Sequence, residues 1–393
     1  EARYLALKEA GRLSIRHVPI NVTQLKQREG GWMLRAADAW HGPYSEILLT
    51  VGQPEVQPDD QLAEWQQHVE TSSGTLVQAY PAKRLSLMAS SWAGRTVAIR
   101  SLALSAFDVL RVLTTVQGGR FDKGRYVPSG NEPARILPFS LDGQPPFPKP
   151  ETEALDARFA PTLEETKVFS KNVAKAAVDT PKRAQALLNE ALLPAVTRIL
   201  REVRNERCES GVSDWLKTEW ASPGSQEAKG PFETLIYGIA IAEGTSLPSI
   251  GYTVGQVWRK WQDELRSGYN PADAMPQTAE TIVNFDEGLK RYSYGPPVSS
   301  SRELAALVDA GIVALDYACD PDIAQTDGGW TLNSGSSSIE ANVMIDSVMA
   351  SPNLSILRQS LLVGLMDEGK LGPISDSLAA HTTAVRCSPK TGH

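Results

Sequence analysis

The first sixty residues read as a short helix followed by strands. Ala2, Tyr4, Leu5 and Leu7 have helical spacing, and Leu13, Ile15 and Val18 alternate with polar neighbours, which predicts a strand over Leu13–Val18. Val22–Asp38 reads as a hairpin, with Gly30 and Gly31 in its turn and Trp32 and Leu34 on the buried face. Glu46–Gly52 is a continuous apolar run closed by a glycine, which suits a strand covered on both faces, as in a parallel sheet. Pro54 and Pro58 then break the pattern.

Residues 61–118 alternate between helix and strand, the rhythm of a doubly wound α/β unit. Helices are predicted over Gln61–Val69, Arg84–Trp92 and Ser105–Val116, and strands over Gly74–Ala82 and Thr96–Leu104. Phe107, Leu110, Val112 and Leu113 give the third helix a face to pack on a sheet. Residues 118–150 read as a long irregular segment of the kind that carries function. Residues 160–290 read as mostly helical, with breaks at Pro223, Gly224 and Gly268. The strongest helix, Lys182–Val203, takes Pro194 as a kink or break.

After residue 291 the α/β pattern returns. Ser300 and Glu303 have capping-box spacing, Gly311 is a helix stop, Ile312–Tyr317 and Ala341–Met349 are predicted strands, and Asn353–Gly369 is an amphipathic helix. One echo runs along the chain. Gly30-Gly31-Trp32-Met33-Leu34 precedes the apolar run Ile47–Thr50, as Gly328-Gly329-Trp330-Thr331-Leu332 precedes Val343–Ile345. Either a hairpin returning to a central strand is used twice, or a Gly-Gly turn before an aromatic recurs by chance.

Composition narrows the function classes. Apolar residues make up 41% of the 393 and charged residues 22%, globular values for two or three domains. Lys and Arg number 39 against 46 Asp and Glu, a net charge of −7, which excludes a generally basic nucleic-acid binder and gives no attraction to anionic membranes. No apolar run approaches the ~18 residues of a membrane span. Cys208, Cys319 and Cys387 are odd in number and far apart, so a disulfide framework is not expected and a reduced, cytoplasmic compartment is. The five histidines lack metal-ligand spacing, so no metal is expected, and no hydrolase elbow or Walker loop occurs.

Three segments could carry chemistry. In Val97–Asp108 a strand meets a helix start, where amides and the helix dipole can face a pyrophosphate. Ser101, Ala103 and Ala106 occupy the places of the three glycines of G-x-G-x-x-G, and Ser105 and Asp108 can cap free amides. The segment reads either as a dinucleotide turn or as an ordinary βα packing turn. Thr50-Val51-Gly52 ends a strand where Gly52 permits close backbone approach; a plain strand exit is the other reading. Arg120, Lys123 and Arg125, followed by Tyr126–Gly130, could hold phosphate or form a solvated loop face. Trp258 and Trp261 lie three apart on a helix and read as core.

Taken in order, Gly30–Leu34, Leu48–Pro58, Val97–Thr115 and Gly118–Pro133 resemble bacterial FAD/NAD(P)-binding flavoproteins of the two-dinucleotide-fold superfamily. Thr50-Val51-Gly52 is partly similar to that superfamily's A-T-G motif. Ser105 and Asp108 match its G-x-G-x-S-x-x-D turn, while Ser101 and Ala103 replace both glycines. Tyr126–Pro133 is similar to a Y-x-P-S-G-x-E-P loop, and Tyr294–Val313 also resembles the family. The resemblance covers roughly residues 10–135 and, more thinly, 280–370. It implies an α/β fold of Rossmann-like parallel-sheet domains with a β-hairpin insertion and a largely helical middle. Residues 1–60 would be part of an FAD-type domain, 61–150 an NAD(P)-type domain, 151–290 a helical region and 291–393 a return to the FAD-type domain.

The implied activity is hydride transfer from NAD(P)H to FAD and on to O₂ or another acceptor, with no residue nameable as catalytic. The implied cofactor-binding residues are Thr50, Gly52, Ser101, Ala103, Ser105, Asp108, Arg125 and Gly130, and the implied partners are small-molecule dinucleotides. The superfamily's first Gly-rich FAD turn is absent and is expected upstream of Glu1, so the chain reads either as an inner portion of a larger flavoprotein or as a degenerate member. Two rival readings stay open: a non-catalytic scaffold that kept the fold without its glycines, and a helical interaction protein built on residues 160–290.

Overall fold

The structure, a computed structural model, describes residues 2–12, 14, 16–204, 209–351, 353–373 and 380–382. The chain forms two units, one from Glu1–Gln57 with Ala350–His393, the other from Pro58–Met349.

The first unit opens with helix α1 (Ala2–Glu9). Strands β1 (Val22–Arg28), β2 (Gly31–Ala36) and β3 (Ala39–Tyr44) follow as an antiparallel meander with β2 in the middle. Gly31 is required at the turn: its φ is +135°, and a Cβ there would stand 2.5 Å from the Tyr44 carbonyl oxygen. The expected strand at Glu46–Gly52 is not formed, and Leu48 is 88% exposed. An apolar run becomes a buried strand only when neighbours pair with it on both sides, and no described strand of this unit does so. Of the strand expected over Leu13–Val18, Leu13 and Ile15 lie outside the described residues, and Ser14 and Arg16–Val18 are in no strand.

The second unit begins with α2 (Asp60–His68), whose cap Asp59 accepts the Leu62 N–H at 2.9 Å. Next come β4 (Thr75–Gln78), α3 (Leu85–Ala89), β5 (Thr96–Arg100) and α4 (Leu104–Leu113), then the hairpin β6 (Arg120–Asp122) and β7 (Arg125–Val127), then β8 (Arg135–Phe139). The helical stretch comprises α5 (Glu153–Ala157), α6 (Leu163–Ala176), α7 (Pro181–Arg204), α8 (Glu209–Ala221), α9 (Pro231–Ala242), α10 (Ile250–Lys260), α11 (Gln262–Tyr269) and α12 (Pro276–Ser293). After α13 (Val298–Asp309), β9 (Asp322–Thr326), β10 (Gly329–Ser334) and β11 (Ser337–Ala341) form an antiparallel sheet with β10 in the middle, and β12 (Val343–Asp346) ends the unit. The chain then returns to the first unit through α14 (Ser360–Asp367), whose Leu361 and Leu365 pack with Leu25.

The centre of the second unit is a parallel sheet in the order β4-β12-β5-β8. Strand alternation gives it two apolar faces. Val97, Ile99, Ile136, Val343 and Ile345 pack with Phe107, Leu110 and Leu113 of α4 and Leu304 and Leu307 of α13. Ala98, Leu137, Phe139 and Met344 pack on the other side with Trp65 of α2 and Trp330 and Leu332 of β10. The chain is therefore a mixed α/β protein whose parallel sheet lies between helices and a smaller antiparallel sheet. The helical stretch has its own core, where Trp258, Trp261, Phe285 and Tyr292 are buried.

Several expectations meet a different structure. β8 lies inside the segment read as irregular; Pro138 within a five-residue strand hides it, because proline cannot donate to a ladder. Ile312–Tyr317 forms no strand, only isolated parallel bridges, from Val313 to Ile136 and, just beyond, from Cys319 to Ser140. Ser300 caps nothing, because α13 starts at Val298; its hydroxyl and the Glu303 carboxylate both accept from Arg111. Pro194 does not interrupt α7. Gly311 does end α13, with φ +71°. The sequence echo is structural only in its turn, because Val343–Ile345 forms a central strand and Ile47–Thr50 forms none: Gly329 has φ +134°, nearly that of Gly31, and a Cβ on it would stand 2.4 Å from the Ala341 carbonyl oxygen. Both Gly-Gly-Trp runs open the middle strand of a three-stranded antiparallel sheet.

Candidate functional site

The carboxyl ends of the four parallel strands gather the polar groups of interest. β5 runs fully buried through Val97, Ala98 and Ile99, ends at Arg100, and turns at Ser101, whose φ of +157° is one that glycine reaches more easily. Ala103 is the N-cap of α4, and no side chain caps that helix. The Ser101 hydroxyl instead accepts the Ala103 N–H at 3.1 Å and lies 3.3 Å from the Ser105 hydroxyl. Ser105 donates to the Ser347 carbonyl oxygen at 2.7 Å, and Ser347 donates its N–H to the Arg100 carbonyl at 3.2 Å. Three serines thus tie β5, α4 and β12 together, and the buried Ser347 hydroxyl has no partner.

A charged cluster lies at the same edge. Arg100 Nη2 donates to Asp59 Oδ2 at 2.7 Å and Nη1 to Asp346 Oδ1 at 3.3 Å, and the guanidinium sits 5.7 Å from the centre of the Trp65 ring. Burial pushes the Asp346 carboxyl above its usual range, and the nearby Arg100 guanidinium only partly offsets this. These residues were not singled out from sequence. The available signal was that the buried runs Thr96–Ile99 and Val343–Ile345 close on residues of opposite charge, Arg100 and Asp346. Exposed apolar side chains follow the carboxyl ends of the strands: Tyr80 after β4, Leu104 after β5, Leu141 after β8, and Val348 and Met349 after β12.

Of the residues named from sequence, this edge brings together Ser101, Ala103 and Ser105. Ser105 is the second residue of α4 rather than its cap, and Asp108, expected in the first turn, is the fifth, exposed on the helix surface. Arg125 and Gly130 belong to the opposite edge. The Gly94 N–H donates to the Glu132 carbonyl and the Ala134 N–H to the Arg95 carbonyl, so this loop borders the amino end of β5.

The loop satisfies its own polar groups. Glu132 accepts from the Tyr126 hydroxyl at 2.7 Å, the Ser129 N–H at 2.7 Å and the Gly130 N–H at 2.8 Å. Burial alone would raise the Glu132 carboxyl, but these hydrogen bonds outweigh it and hold the group below the usual carboxylate range. Burial and the same carboxylate push the Tyr126 hydroxyl up. Gly119 leaves room for the pair, since a Cβ there would lie 1.8 Å from the Tyr126 hydroxyl oxygen. The Tyr126–Pro133 motif therefore has a structural reason, and the Gly130 amide is already occupied.

Thr50 and Gly52 are in the other unit, exposed and without secondary structure; Gly52 has φ +67°. An open groove of about 520 Å³ lies beside α5 and the end of α10, where Asp156 pairs with both Arg259 and Lys260. Among the described residues no cluster of His, Cys, Asp or Glu could hold a metal, and no helix is long and apolar enough to cross a membrane. The chain matches no protein-family model and no curated protein.

Proposed function

We propose that the second unit is a Rossmann-like dinucleotide module and that the chain serves an FAD- and NAD(P)H-linked oxidoreductase. The observation that carries this reading is the β5–α4 junction. A buried parallel strand, flanked by β12 and β8, ends in a tight turn at a helix whose N-terminus no side chain caps and whose first residues, Ala103 and Leu104, are exposed. Amides in that position suit a pyrophosphate, and ligands of parallel α/β sheets bind beyond the carboxyl ends of the strands. Ala103, Leu104 and Ser105 would hold the phosphates, and the exposed apolar residues around the edge suit the rings of the ligand. When bound, the cofactors supply hydride transfer from NAD(P)H to flavin and on to O₂ or another acceptor. For FAD the fit is poorer: Thr50 and Gly52 lie in an exposed coil, and no other cofactor-binding residue named from sequence lies in their unit.

One observation favours the scaffold reading. The Ser101 hydroxyl takes the Ala103 N–H that a phosphate oxygen would use. The double change Ser101→Gly with Ala103→Gly decides between the two. Removing the competing hydroxyl and the methyl is expected to tighten NADH binding by several-fold to about tenfold per position, followed by calorimetry. No gain would mean that the turn serves packing alone.

A further inference from the structure

We infer that Ser347 is a positioning residue for the β5–α4 turn: its buried hydroxyl is the second partner of the Ser101 hydroxyl, and a phosphate oxygen reaches the Ala103 amide only after Ser101 has turned to it. The inference rests on the dinucleotide reading above and gives that site a closed and an open state. The structure shows the closed one, and its hydroxyls have a fixed direction. A hydroxyl carries one proton and can accept as well. Ser105 gives its proton to the Ser347 carbonyl oxygen at 2.7 Å. The 3.3 Å contact between Ser105 and Ser101 is therefore made by the Ser101 proton, with the Ser105 oxygen accepting. The Ser101 oxygen in turn accepts the Ala103 N–H at 3.1 Å. The amide is closed by a side chain that α4 itself holds from behind.

The Ser347 hydroxyl lies beside this chain of bonds and takes no part in it. Arg100 and Asp346 are register partners, so Ser101 and Ser347 leave β5 and β12 side by side. The Ser347 N–H still bonds the Arg100 carbonyl at 3.2 Å, which carries the ladder one residue past β12. Strand alternation then puts the Ser347 side chain on the face of Val343 and Ile345, the face that α4 covers. Ser347 is 1% exposed, and its hydroxyl has no hydrogen-bond partner. Buried hydroxyls are rarely left unpaired, and this exception is the register neighbour of the residue whose hydroxyl blocks the amide. Neighbouring parallel strands are about 4.8 Å apart, so a change of the Ser101 rotamer exchanges Ser105 for Ser347 as its partner. In the open state the Ala103 N–H is free for a phosphate oxygen, and Ser105 keeps its bond to the Ser347 carbonyl. The rotation trades one hydroxyl pair for another, and the ligand replaces Ser101 on the amide. The number of hydrogen bonds is kept, so the ligand decides between the two states.

The test is a double-mutant cycle on the full chain, titrated with NADH by calorimetry, with circular dichroism to check each fold. Ser101→Ala removes the blocking hydroxyl and is expected to tighten binding about fivefold. Ser347→Ala removes the open-state partner and is expected to weaken binding about fivefold. The double variant should bind like Ser101→Ala alone, because without the Ser101 hydroxyl Ser347 has nothing to hold. Hydrogen exchange at the Ala103 amide, read by NMR on alanine-labelled protein without ligand, gives a second measurement. Ser347→Ala should slow that exchange about fivefold by depleting the open state, whereas loss of a merely structural residue would loosen the turn and speed it. Equal weakening by Ser347→Ala in both backgrounds, no weakening in either, or faster exchange in Ser347→Ala overturns the inference and leaves the dinucleotide reading standing. No NADH binding even in Ser101→Ala overturns that reading, and the inference with it.

Discussion

Glu132 and Asp346 are both buried carboxylates, and their surroundings displace them in opposite directions. Glu132 is held below its ordinary range, so the folded chain binds fewer protons there than the unfolded chain. Its contribution to stability is full above the ordinary carboxylate value and is lost as pH falls through the folded value. Asp346 is raised, so the folded chain holds the extra proton. Stability therefore falls as pH rises from the ordinary carboxylate value to the raised one. Urea midpoints taken across the acid range should show Glu132→Gln flattening a positive slope and Asp346→Asn flattening a negative one. Glu132→Gln also leaves the buried Tyr126 hydroxyl and the loop amides with a weaker acceptor, at a cost of about 1–3 kcal/mol. The reading is refuted if the two slopes change in the same sense. At this scale the sequence was legible in part. Tyr126–Pro133 stood out as a motif, but its role was visible only once Glu132 had found Tyr126, Ser129 and Gly130, and Arg125 and Gly130 proved to border the edge opposite Ser101.

Among the elements, those legible from local pattern were the ones whose pattern agreed with their burial. α4, α7, β4, β5, β10 and β12 form close to where their apolar spacing predicts. The misses have physical causes: β8 carries a proline, and Ile47–Thr50 and Ile312–Tyr317 are apolar runs without a full ladder partner. Pro194 tests how far packing overrides propensity. Within α7 it lacks the N–H that would bond the Glu190 carbonyl, yet Ala191, Leu192, Ala195 and Val196 around it are fully or almost fully buried. Packing of that face carries the helix without a break past the defect. Pro194→Ala is expected to restore the bond and raise stability by about 1 kcal/mol or more, seen as a higher melting temperature. A lower melting temperature would mean that the core depends on the geometry proline imposes. The two Gly-Gly-Trp turns give a paired test. Gly31→Ala and Gly329→Ala should each destabilise by more than about 1 kcal/mol, since both combine a positive φ with a carbonyl oxygen too close for a Cβ. Tolerance of either alanine would separate the two turns.

At the scale of the whole molecule, the order β4-β12-β5-β8 makes the last strand of the second unit an inner strand of its sheet. β4 has no other partner in that sheet, and β5 keeps only β8 when β12 is removed. Val343, Met344 and Ile345 are fully buried and belong to the cores on both faces. No local pattern could have revealed this, because β4 and β12 are paired across more than half the chain, and pairing at such separation is set by burial rather than by neighbours in sequence. All four strands nevertheless lie within Pro58–Met349. A fragment of residues 58–349 is therefore expected to unfold as one cooperative transition by circular dichroism. A fragment of residues 58–340, shorter by nine residues, should lose that transition, because it exposes the edges of β4 and β5 and empties both faces of the core at once. If the shorter fragment melts as cooperatively as the longer one, β12 is an accessory strand and the sheet is held by β5, β8 and their helices alone.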